Sequence, residues 1–165
     1  MARHARHRPK SLRTGRVVAA SVDRMTLDPQ DRAAIAAHVR EEGRGIVATV
    51  TPDGEPEAAL VGITALDDGT LIFNVVPWAR KLANIEANGR AAVVVGTTAR
   101  VSVQFEGAAT ITEGDEAEHF AAEFERLMPG SKSRYEGYEV VVVRPEWLRV
   151  YDVSHRPPLV VEAAW

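Results

Sequence analysis

Between residues 45 and 76 the apolar side chains alternate instead of recurring at helical spacing, and only turn signals break the alternation. Ile46, Ala48 and Val50 fall on one face and Val47, Thr49 and Thr51 on the other, until Pro52-Asp53-Gly54. A second run over 57–65 ends at Asp67-Asp68-Gly69, and a third over 70–76, β-branched and aromatic, is closed by Pro77. Parallel strands would need crossovers of roughly a dozen residues or more, so connections this short predict an antiparallel meander.

Further strand-like runs follow at 91–95 and 101–111, the latter interrupted by Gly107, where a bulge or close backbone approach is expected. A final stretch covers 138–143 and 147–153, bent at Pro145, and the Pro157-Pro158 pair marks 154–165 as an extended tail. Helical spacing is confined to short segments. Asp28 reads as an N-cap with Pro29 at the first helical position, Ile35, Ala36 and Val39 as the buried face and Gly43 as the stop. Trp78, Leu82 and Ile85 define a second helix ending at Asn88-Gly89, with Trp78 read as core; Ala117, Phe120, Ala121, Phe124, Leu127 and Met128 define a third. Six strands without regular βαβ alternation predict a mainly β fold, an antiparallel barrel or sandwich with peripheral helices; closure into a barrel removes exposed edges.

A length of 165 residues fits one domain, expected over 25–153. With no cysteine, disulfides, thiolate metal sites and a cysteine nucleophile are excluded. No apolar run approaches the ~18 residues of a membrane span and nothing reads as a secretory signal, so a cytoplasmic location is expected. Residues 1–24 carry seven basic side chains against Asp23 in a chain whose net charge is −3, so the remainder is acidic. This arm reads as a solvated, disordered tail, with nucleic-acid binding ranked last, and Met25 is an alternative start of translation.

Dinucleotide, P-loop, zincin, EF-hand and nucleophile-elbow motifs are absent from the sequence. His38 and His119 sit singly in helices and read as surface residues, and the pairs Glu41-Glu42 and Asp67-Asp68 read as solvated charge. Arg80 and Lys81 stand apart. They open the second helix, where the dipole disfavours cations by ~0.3–1 kcal/mol each, so an anion, phosphate first, is the natural partner.

The order G-I-V-A-T-V-T-P-D-G-E-P (45–56), F-N-V (73–75), R-K-L-A-N-I-E-A-N-G-R-A-A-V-V-V (80–95) and Q-F-E-G-A-A (104–109) resembles the pyridoxamine 5′-phosphate oxidase-like, FMN-binding split-barrel family over about residues 30–150. The resemblance implies a six-stranded antiparallel split β-barrel, usually a homodimer, with cofactor phosphate on Arg80 and Lys81. It places Asn74 and Val75 along the cofactor and gives the backbone of Leu60, Val61 and Gly62 to the flavin ring, with Ser102 and then Gln104 as further polar contacts. It also implies an FMN-dependent oxidoreductase passing hydride between a small organic substrate and flavin N5. The alternatives are a deazaflavin (F420) reductase of the same fold and a non-catalytic flavin- or haem-binding protein. True pyridoxamine phosphate oxidases carry an arginine and a lysine where this chain has Ala58 to Ile63, and an arginine–histidine signature where it has Trp147 to Asp152, so that particular activity is not expected.

Overall fold

A computed structural model describes residues 27–165 apart from Thr98 and Ser133; the basic arm and Met25 lie outside the described residues. The strands are β1 (Arg44–Val50), β2 (Pro56–Ala65), β3 (Leu71–Val75), β4 (Arg90–Val95), β5 (Val101–Ile111), β6 (Glu139–Asp152) and β7 (Leu159–Ala164). Helices α1 (Arg32–Glu42), α2 (Arg80–Asn88) and α3 (Gly114–Leu127) lie between them. The antiparallel order β3-β2-β1-β4-β5-β6 closes through β3–β6 pairing, so the expected six-stranded split barrel is the observed fold.

Alternation decides which residues fill the barrel. Val47, Ile63, Phe73, Val93, Val95, Val103, Phe105, Leu148 and Val150 point inward and are fully buried. α1 adds Ile35, Ala36 and Val39 to this core, and α2 adds Leu82 and Ile85. The apolar stripe of α3, Phe120, Ala121 and Phe124, covers the opposite face of β3 and β6 at Ile72, Val140 and Val142.

The β5–β6 register shifts between Glu106 and Gly107, where Gly107 faces Pro145. A Cβ on Gly107 would lie 2.1 Å from the Arg144 carbonyl oxygen, so only glycine lets the bulge close here. β6 therefore runs unbroken through its proline.

Three local expectations are corrected. The N-cap of α1 is Asp31, whose side chain accepts from the Ala34 N–H at 3.0 Å. Asp28 is instead used in a turn, accepting from the Gln30 N–H at 2.8 Å, which leaves Pro29 outside the helix. Trp78 precedes α2 and is 80 % exposed, because the helix starts only at Arg80 and its buried face at Lys81. The stretch after Pro158 is not a free tail: β7 pairs with Trp147–Asp152, where β6 extends past β3 and would otherwise leave an open edge. Among the described residues no helix is long and apolar enough to cross a membrane.

Candidate functional site

α2 begins without a side-chain cap, Ala79 standing at the N-cap position, and it ends at Gly89, whose positive φ of 64° lets its N–H reach the Ile85 carbonyl. Its two leading cations have different surroundings. Arg80 is exposed and, among the described residues, has no ion-pair partner. Lys81 is buried, its Nζ 3.4 Å from Glu57 Oε1 at the start of β2. The Thr49 hydroxyl donates to Glu57 Oε2 at 2.9 Å, and the Asn84 amide donates to Thr49 Oγ1 at 2.8 Å. Thr49 and Asn84 are also buried, so the lysine closes a continuous polar chain from α2 through β1 to β2.

Sequence reasoning found Lys81 but missed these three partners. The signals were present: Glu57 and Thr49 occupy inward positions of alternating strands, and Asn84 lies one helical turn beyond Lys81.

β2 pairs with β1 along residues 56–62, but β3 pairs with β2 only at Ile63, Thr64 and Ala65. The Ile63 N–H donates to Gly43 on the β1 side, so strand geometry turns the N–H and C=O of Leu60 and Gly62 toward the other, open edge of β2. On the outer surface, cross-strand register lines up Leu60, Ile46, Val94, Gln104 and Arg149 in one row. Leu60 is 60 % exposed and Ile46 and Val50 are exposed as well, with Ala48, Ala58 and Ala92 between them, making an apolar outer face.

Of the sequence-derived site residues, Leu60, Gly62 and Gln104 thus share one face or its open edge. Gln104 donates to Glu106 at 3.1 Å. Ser102 lies on the same outer side of β5, opposite Tyr151. The side chains of Val61 and Val75 turn into the core, and Asn74 is half-buried on the side of β3 shared with Ile72 and α3. The fold therefore does not bring Asn74 and Val75 onto the Leu60–Gln104 surface.

Two of the cavities among the described residues hold residues singled out from the sequence. One of about 610 Å³ is lined by Trp78 and Arg80 but also by Glu86, Glu113 and Glu139. Three carboxylates against one guanidinium make it a poor seat for an anion. The other, about 310 Å³, includes His38, Glu41, Glu42, Arg100 and Asp152. His38 is not a surface histidine: its Nε2 is buried without a hydrogen-bond partner, and burial pushes the imidazole pKa down against the opposing pull of Glu42 and Glu41.

Comparison with known proteins places this architecture. The family profile for pyridoxamine 5′-phosphate oxidase matches residues 32–152, most of the chain. The chain belongs to the pyridoxamine 5′-phosphate oxidase family. No curated protein matches its sequence. Among solved structures of this fold, a haem-binding protein from Mycobacterium smegmatis is 21 % identical with a TM-score of 0.66; the match covers 84 % of this chain and 60 % of that one. The chain thus spans about three-fifths of that protein's length. A pyridoxamine 5′-phosphate oxidase-related, FMN-binding protein from Nostoc punctiforme is 17 % identical with a TM-score of 0.60, covering 86 % of this chain and 99 % of that one. General Stress Protein 26 from Bacillus anthracis is 19 % identical with a TM-score of 0.57, covering 78 % and 95 %.

In this member of the pyridoxamine 5′-phosphate oxidase family the residues fit a flavin-type group in part. Arg80 is an open cation at an uncapped helix start, and the open β2 edge and apolar face suit a planar ring. Lys81, by contrast, already holds a carboxylate.

Proposed function

We propose that this protein is a flavin- or deazaflavin-dependent oxidoreductase acting on a small organic molecule, with FMN and F420 as the two candidate cofactors. The observation that carries the reading is the open edge of β2 at Leu60 and Gly62 beside the apolar outer face of Leu60, Ile46 and Val94. When bound, such a cofactor supplies hydride transfer. Arg80 is the one exposed cation at the start of α2 proposed to meet its anionic group, against the three carboxylates that share its cavity. The N–H groups of Leu60 and Gly62 orient the ring and meet negative charge gathering on it, and Ile46, Leu60 and Val94 keep water from that face. No protein nucleophile enters this scheme.

A second copy of the chain is the proposed cover for the apolar face and the open edge, giving a homodimer with the cofactor at its seam. Ser102 and Gln104 are proposed as polar contacts at the same seam. Asn74 and Val75 are not retained as contacts, since their strand faces α3 and the core. A cytoplasmic location accords with this chemistry.

The test is the absorption spectrum of the purified protein, followed by titration of cofactor-free protein with FMN and with F420. Binding of either, weakened about tenfold or more by Arg80→Ala, is expected, since a charge-assisted hydrogen bond is worth ~1.5–3 kcal/mol. Failure to bind both would overturn the proposal. The non-catalytic reading is favoured by the haem-binding protein among the structural relatives. Cofactor that binds but is not reduced by a nicotinamide donor or candidate substrate would establish it.

A further inference from the structure

We propose that Met128, the residue that ends α3, is the wall of the ring site on β2: its thioether lies against the edge of a flavin-type ring seated on Leu60 and Gly62 and fixes where that ring stops. The inference rests on the flavin-type reading above and adds to it a contact from α3.

Burial along the outer face of β2 places the boundary. Leu60 is 60 % exposed, whereas Thr64, two positions past Gly62 on the same face, is buried at 1 % and pairs with Ile72 under the α3 stripe. Gly62 stands at the change without a side chain of its own. Met128 supplies one. A Cβ on Gly62 would lie 3.5 Å from Met128 Sδ, and a Cβ on Gly43, ahead of β1, would lie 3.6 Å from Met128 Cε. The thioether therefore crosses bare backbone in ordinary van der Waals contact, in the place next to Leu60 on that face.

Two features suit a methionine to this place. A ring that meets the open N–H groups of Leu60 and Gly62 presents its edge to the sulfur, and sulfur at an aromatic edge is a favourable contact. The Met128 backbone is also held on both sides: its N–H donates to the Phe124 carbonyl at 2.7 Å, and its own carbonyl accepts from the Ser131 N–H at 3.1 Å. Glu125 clamps the turn that follows, accepting from the Gly130 N–H at 3.0 Å and from the Ser131 hydroxyl at 2.8 Å. An anchored backbone with an unbranched side chain gives a wall that stays in place yet follows the shape of the ring. Because the contact involves the ring alone, it does not depend on what holds the anionic end of the cofactor.

Lumiflavin carries the flavin ring without a ribityl chain or a phosphate, and so tests this contact by itself. The full chain has three methionines, Met1, Met25 and Met128. Cofactor-free protein isotopically labelled at the methionine methyl carbons is titrated with lumiflavin by NMR, with Met128→Leu assigning the Met128 signal. That methyl is expected to shift while those of Met1 and Met25 hold still. Quenching of lumiflavin fluorescence reads affinity in parallel. Met128→Ala should weaken binding about three- to tenfold, the range of a sulfur–aromatic contact, and Met128→Leu, which keeps the apolar bulk without the sulfur, should fall between alanine and the natural sequence. The methyl shift is read on the natural sequence, so the test survives an alanine variant that fails to fold.

If lumiflavin binds but the Met128 methyl does not move, or folded Met128→Ala binds it within about twofold of the natural sequence, the wall is overturned while the flavin reading stands. If neither lumiflavin, FMN nor F420 binds the natural sequence, the flavin reading falls and the inference with it.

Discussion

Trp165 ties the far end of β7 to three other parts of the molecule, and replacing it with alanine tests whether β7 is an integral strand or a loose addition. Its indole Nε1 donates to the Pro29 carbonyl at 2.8 Å, ahead of α1. Its ring meets buried Phe105 edge-on at 6.2 Å, and the Arg32 guanidinium lies 4.7 Å over its face. The ring also fills the space above Gly69, where an added Cβ would fall 2.1 Å from it. Burying roughly 100 Å² of indole at ~25 cal/mol per Å² contributes ~2.5 kcal/mol. The hydrogen bond adds ~1 kcal/mol and the aromatic and cation–π contacts ~0.5–1 kcal/mol each. Ordering the side chain costs about 1 kcal/mol in return. The expected loss for Trp165→Ala is therefore about 3.5 to 4.5 kcal/mol, within the usual range for a packed tryptophan. At ~2–4 °C per kcal/mol for a chain of this size, the thermal midpoint should fall by roughly 7 to 18 °C.

Urea and thermal melts of the natural sequence, Trp165→Ala and Trp165→Phe measure this. Phenylalanine keeps the ring but loses the donor to Pro29, so it should recover more than half of the loss. A change below about 0.5 kcal/mol for alanine, the level of an ordinary surface substitution, would refute the reasoning and mean that β7 frays from the barrel in solution.

Other expected outcomes follow from single features. Burial holds the His38 pKa below its usual value of about 6.5, so the unfolded chain takes up the proton first as pH falls. Stability should decline from neutral pH through 6.5 toward the folded pKa, and His38→Gln should flatten that slope in melts across pH 5.5 to 7.5; equal slopes would show that the ring is not held neutral. Gly107→Ala drives a Cβ into the Arg144 carbonyl and should cost about 3 kcal/mol or more, read by chemical denaturation; full stability would mean the bulge relaxes easily. If the proposed homodimer forms through the exposed apolar row, the natural sequence should sediment as a dimer and Leu60→Asp, which puts a charge there, as a monomer in analytical ultracentrifugation. Unaltered dimers would move the interface elsewhere.

Sequence alone determined whatever depends on neighbours within a few positions. Alternation marked β1 and β5 as strands and sorted the residues of β1 into two faces, and Pro-Asp-Gly and Asp-Asp-Gly fixed the hairpin turns. Gly89 marked the end of α2, and Gly107 the bulge. These signals are legible because backbone periodicity and positive-φ requirements are local properties. The order of motifs likewise carried the family, and with it the basic pair that opens α2.

Tertiary structure decided what each of those residues faces. Nothing near Lys81 in the chain announces that its partner is Glu57, because that contact exists only once α2 packs on β1 and β1 pairs with β2 in the observed register. The burial of His38 Nε2 at the cavity it shares with Asp152, the exposure of Trp78 and the recruitment of residues 159–164 as a seventh strand share the same origin. Each depends on which strand edges remain open after β3 and β6 close the barrel. Closure is a non-local event, paid for in chain entropy and repaid by burial, and it fixes charge pairing at the α2 entrance that no local pattern encodes.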